Sequence, residues 1–240
     1  MATSSFVSLS GQLALDRRLS TIANNIANAK TAGYRASGVN FGPIVSSTAP
    51  FETVFASAGG NHINMASGAF ARTSNALDVA IQGEGFFAIQ SPTGTYYSRD
   101  GRLSLTEAGE LVNTLGHQVM DAGGAPISLD PKAGPPVIQK DGGIYQNGQK
   151  AAQLGLYQIN TAQGFTRSEG SGIVPSQPAE LITDYMRNGV AQGFVEDSNV
   201  NSVTEMVKLI QVTRAFEAAS TMSDKVLESE MEAIRTLGSR

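Results

Sequence analysis

The chain carries a helical apolar period at each end and none between, and this limits the folds open to it more than any other feature. Near the N-terminus Leu15, Leu19, Ile22 and Ile26 recur at intervals of 4, 3 and 4, the repeat of a seam that faces a partner helix. Thr3, Ser4 or Ser5 can cap its start, and Asn28, Lys30 and Gly33 supply a stop, predicting a helix over about residues 4–30. At the other end Ser202 and Glu205 spell S-x-x-E, the pattern of a capping box. Val203, Met206 and Ile210 then form one stripe, Leu209, Val212, Phe216 and Ala219 a second, and Leu227, Met231 and Ile234 continue towards Leu237. Apolar residues on more than one side predict a helix with several neighbours, since packing on one core needs a single stripe. Two such helices most simply pair antiparallel or as a coiled coil, and what is left uncovered on them marks an interface.

The middle has a different grain. Residues 34–75 are rich in Ser, Ala, Gly and Asn with little periodicity, which predicts extended or irregular chain. From Leu77 to about Tyr185 come short alternating runs, LDVAIQ, FFAIQ, GTYYSR, GRLSLT, GELVNT, QVMD and GLYQIN, each broken by Gly, Pro, Asn or Asp. A composition of 41% apolar and 16% charged residues with 26 Gly suits such a turn-rich segment. Close strands without helices between them argue an antiparallel β domain, so the fold class is α+β. The expected division is a discontinuous helical domain at 1–33 and 199–240, an extended linking region at 34–76 and 186–198, and the antiparallel β domain at 77–185.

Little catalytic chemistry is offered. Gly83, Gly85 and Ala88 in IQGEGFFAIQ match G-x-G-x-x-A, but a dinucleotide cradle needs a helix after the glycines, and FFAIQSPTGTYY is strand-like. A tight hairpin turn between LDVAIQ and FFAIQ is the better account. His62 and His117 have no metal-like spacing to another ligand, there is no cysteine and no G-x-S-x-G, and Asp78, Glu84, Asp100, Glu107 and Glu110 fall at turn or solvent-face positions. Neither a catalytic residue nor a cofactor or metal is expected. A net charge of -4 argues against nucleic acid, no run approaches the roughly 20 apolar residues of a membrane span, and the N-terminus lacks the pattern of a cleavable signal.

Four stretches carry a resemblance. SLSGQLALDRRLSTIANNIANAKTAGYR contains ANNIAN at Ala23 to Asn28 and ends in T-x-G-Y at Thr31, Gly33 and Tyr34. TSNALDVAIQGEGFFAIQ, YSRDGRLSLTEAGELVNTLGHQVM and SNVNSVTEMVKLIQVTRAFEAAS follow in order, the last with SNVN at Ser198 to Asn201 and RAFE at Arg214 to Glu217. Together they resemble the axial proteins of the bacterial flagellum, which build its rod and hook. The resemblance implies a structural subunit of the periplasmic rod, exported through the flagellar apparatus without a cleaved signal. It implies self-association and other rod proteins as partners, with helical assembly transmitting motor torque. Chain length leaves the two rod proteins of intermediate size, SGQLALDRRLSTIANN resembles the proximal more than the distal one, and a secreted adhesin or filament subunit is the alternative outside the family. The expected assembly interface is Leu15, Leu19, Ile22, Asn24, Asn25, Ile26 and Asn28 on the first helix with Val203, Met206, Ile210 and Phe216 on the second. Residues 126–188 show no recognisable motif of the family and are read from pattern alone.

Overall fold

The computed structural model describes residues 2–46, 53–185 and 187–238 and is an α+β chain, with a helix at each end and an antiparallel β-rich region between. Two units separate by their contacts. The first comprises residues 1–27, 37–62 and 201–240, and the second residues 28–36 and 63–200. The stretch 34–76 therefore contributes to both, and its residues 47–52 lie outside the described ones.

The first unit consists of α1 (Ala2–Ala27), α2 (Ser202–Gly238) and most of a two-stranded sheet of Ser37–Ser46 with Thr53–Ile63. The side chains expected to cap α1, and those of Leu227 and Ile234, are outside the described residues. The helices pack against each other. Gln12 Nε2 donates to Ala219 O at 3.3 Å while Asn25 Nδ2 reaches Glu205 Oε2 at 3.1 Å, so the middle of α1 lies beside the middle of α2 and the end of α1 beside the start of α2. That order makes the pair antiparallel. No helix is long and apolar enough to cross a membrane among the described residues.

The start of α2 corrects one expectation. Asn201, not Ser202, is the cap: its Oδ1 accepts from Thr204 N at 3.0 Å and its carbonyl accepts from Glu205 N at 3.0 Å. Asn201 stands just outside the first helical turn, where its short side chain can reach back. Glu205 is consequently released from the capping box and turns inward, 7% exposed.

In the second unit the largest sheet has nine strands, all paired antiparallel. Its centre is Phe86–Ser91, bonded to Gly94–Ser98 on one side and to Gln118–Val119 on the other. Val79–Gln82 pairs with Gly189–Gln192, and Phe70–Arg72 with Phe194–Glu196. The core gathers Val79, Ile81, Phe87, Ile89, Leu111 and Leu156, none more than 0% exposed. At ~25 cal/mol per Å² of apolar surface, such side chains supply most of the drive for closing the unit.

The glycine turn of IQGEGFFAIQ is not a hairpin. Val79–Gln82 and Phe86–Ser91 enter different sheets and share no pairing. Gly83 (φ +95°) and Gly85 (φ +124°) take backbone angles that side-chain-bearing residues rarely adopt, and they hand the chain from one sheet to the next.

Candidate functional site

The residues expected to form an interface divide into inward and outward groups. On α1, Ile22 is buried and Leu15, Leu19 and Ile26 are half-buried, on the stripe that includes buried Asn25. The amide of Asn25 is used inside the chain: Nδ2 donates to Ser37 O at 2.9 Å and to Glu205 Oε2, while Oδ1 accepts from Ser37 N at 2.9 Å. The other oxygen of Glu205 takes the Lys208 ammonium at 2.5 Å. Asn24 is exposed, and Asn28, just past the helix, accepts from the Thr31 hydroxyl at 3.1 Å. On α2 the inward residues are Glu205 and Val212, with Leu209 and Phe216 half-buried.

Val203, Met206 and Ile210 face outward, 70%, 51% and 55% exposed. Phe6, Leu9 and Leu13 make a matching stripe on α1 at 60%, 48% and 58%. Each set follows i, i+3, i+7, so each is one continuous apolar strip along its helix. Isolated exposed apolar residues need no explanation, whereas a continuous strip is a candidate interaction surface.

A second constellation, which pattern did not flag, lies inside the β-rich unit. Arg35, Arg99 and Glu196 are 1%, 3% and 0% exposed and form a buried triad. Glu196 Oε1 accepts from Arg35 Nη2 at 2.7 Å and from Gly68 N at 2.9 Å, and Oε2 accepts from Arg99 Nε at 2.7 Å. Arg99 also fills the bend of the glycine turn, donating Nη1 to Gly85 O at 2.6 Å and Nη2 to Ile81 O and Gly83 O at 3.0 and 3.1 Å. The GEG stretch is thus a cradle after all, for a guanidinium belonging to the chain itself. Burial lowers the readiness of Arg99 to hold its proton and Glu196 opposes that, so the guanidinium stays charged. Arg167 donates to Arg35 O and stacks over Tyr34 at 4.5 Å, closing the cluster. Gly101 beside it is packed so closely that a Cβ would stand 1.7 Å from Val79 O.

Each charged member of the triad sits in a different matched stretch of the chain. Residues 7–35 match the family model described as flagella basal body rod protein, residues 80–146 the flagellar hook protein FlgE/F/G D1 domain, and residues 191–228 the flagellar basal body rod FlgEFG protein C-terminal. A flagellar basal-body rod protein FlgF from Mesorhizobium japonicum is 50% identical over 240 residues, covering 100% of both chains. The chain belongs to the flagellar rod and hook family. The rod protein FlgF of Rhizobium meliloti is 44% identical over 238 residues and 99% of each chain, and the FlgG rod protein of Bacillus subtilis is 29% identical over 261 residues, covering 95% of this chain and 97% of its own. As a member of this family the chain is a structural rod protein, not an enzyme. The signal that would have exposed the triad was available: in a chain only 16% charged, Arg35 and Glu196 end the runs GYR and FVE, and Arg99 lies within YSRDGR.

Proposed function

We propose that this subunit builds the proximal part of the periplasmic rod, joining copies of itself and other rod proteins through the outward strips of its terminal helices. Full-length identity of 50% and 44% to FlgF proteins, against 29% to a FlgG protein, favours the proximal over the distal position. The observation that carries the proposal is the pair of strips, Phe6, Leu9 and Leu13 with Val203, Met206 and Ile210. Covering these strips with a partner removes apolar surface from water, which favours association. Leu15, Leu19, Ile22, Ile26 and Phe216 serve by pairing the helices in a coiled-coil-like manner, and Asn25 by fixing the start of α2. A head-to-tail contact that does not close on itself gives a helical tube, which transmits torque along its axis. Delivery through the flagellar export apparatus is part of the same reading.

Met206→Asp with Ile210→Asp places charge on the outer strip without touching the inner stripe. The expected result in a strain lacking the native gene is loss of swimming and of hooks, with the purified variant as helical as the parent by circular dichroism. Swimming at the parent rate would overturn the assignment of this strip.

A further inference from the structure

The β-rich unit is made of two pieces of chain, residues 28–36 and 63–200, and so has four chain ends: Asn28, Ala36, Ile63 and Val200. Three of them are held at one side chain. Asn199 Oδ1 accepts from Ala36 N at 2.7 Å, and its Nδ2 donates to Asn64 O at 2.9 Å and to Ala66 O at 2.7 Å. Its backbone N donates to Tyr34 O at 3.2 Å, and Asn64 N donates to Ala36 O at 2.8 Å. A primary amide carries one acceptor oxygen and two donor hydrogens, and here all are engaged, each with main chain. Aspartate would lack the donors, and serine lacks the second donor and the reach. The Glu196 carbonyl takes Gly33 N at 2.7 Å, so the same segments are also tied three residues earlier, where the buried triad begins.

We propose that Asn199 is a positioning residue for assembly: it fixes the spacing of the segments that leave the β-rich unit. On the rod reading, the subunit assembles only when that spacing is held. Asn199 is half-buried and lies outside both apolar clusters of the unit, so its removal cuts these ties and leaves the core intact. The proposal gives the first asparagine of SNVN a task separate from that of Asn201, which caps α2.

The chain has no cysteine, so two introduced thiols are the only sites for spin labels. Lys30→Cys and Ser67→Cys, both at exposed positions, put one label on each of two segments tied by Asn199. Pulsed electron paramagnetic resonance on the full chain should give one narrow distance. Because Glu196 still ties the same segments, Asn199→Ala and Asn199→Asp should broaden the distance without abolishing its peak, and should abolish swimming when expressed unlabelled, while the urea midpoint of the β-rich unit moves little. A width unchanged in both variants, or a broadened one with normal swimming, overturns the proposal. Outright unfolding of Asn199→Ala and also of the milder Asn199→Ser would show a general stabilising role and overturn it too. Loss of the rod reading shows separately, as normal swimming in a strain that lacks the gene altogether.

Discussion

Replacing Glu196 by alanine tests whether the buried triad carries the fold of the β-rich unit. The carboxylate has no exposed surface and accepts three hydrogen bonds, two from guanidinium groups and one from Gly68 N. Arg99 would keep its three carbonyl partners, but Arg35 would keep no side-chain hydrogen bond, because Nε and Nη1 already lack a partner among the described residues. Removing one partner of a buried ion pair costs about 3–5 kcal/mol, because a charge is left buried and uncompensated. The pair Arg102–Asp100 is the internal control: with Arg102 45% exposed, Arg102→Ala should cost about 0–1 kcal/mol. Urea unfolding followed by tyrosine fluorescence suits the measurement, since the chain has no tryptophan and its six tyrosines, Tyr34, Tyr96, Tyr97, Tyr145, Tyr157 and Tyr185, all fall in this unit. The midpoint should fall with the slope unchanged. Adding Arg35→Met to Glu196→Ala should recover part of the loss, because the stranded charge goes with it. If Glu196→Ala costs no more than Arg102→Ala, the triad does not hold the unit together and the reasoning fails.

Alkali should loosen the same unit. Burial raises Tyr96, Tyr97, Tyr157 and Tyr185 above the ordinary tyrosine value of about 10, so the unfolded chain releases those protons first. Their stabilising contribution is complete below about pH 10 and is lost as pH climbs through the folded values. Absorbance at 295 nm should therefore show delayed ionisation in the folded chain, and a titration matching free tyrosine would refute the burial. Gly101→Ala should lower the urea midpoint more than Gly116→Ala, although only Gly116 has a positive φ (+80°): a Cβ at Gly101 meets Val79 O, whereas one at Gly116 meets open space. An equal loss at the two sites would mean that backbone conformation, not the close approach, governs Gly101.

The terminal helices could be read in the sequence because their information is local: Leu15, Leu19, Ile22 and Ile26 repeat within four turns, and nothing distant is needed to see it. The α+β class followed in the same way from short alternating runs. What pattern could not supply was pairing. Val79–Gln82 looks like the first arm of a hairpin because Phe86–Ser91 follows so soon, yet its partner is Gly189–Gln192 near the other end of the chain. Once that partner is known, the glycines have a different task, and Arg99 explains why the bend is open enough for a guanidinium. The cap of α2 was misplaced by one residue for a smaller reason. Asn201 and Ser202 are both good caps, and only the observed bond to Thr204 N separates them. The outward direction of Val203, Met206 and Ile210 depends on which α2 stripe meets α1, and Asn25 with Glu205 settles that by contact, not by period.

Arg35 and Glu196 are 161 residues apart in the chain. A polypeptide supplied from its N-terminus, by a ribosome or through any narrow passage, has delivered more than three-quarters of its length before this pair can meet. Until then Phe70–Arg72 and Val79–Gln82 wait with open edges, since Phe194–Glu196 and Gly189–Gln192 arrive last. Closing so large a loop is slow, because chain entropy is lost before the distant contact repays it. The triad therefore acts in time as well as in space: the unit cannot finish folding while its C-terminal strands are still on the way, and a subunit cut short before Glu196 has no route to the native state.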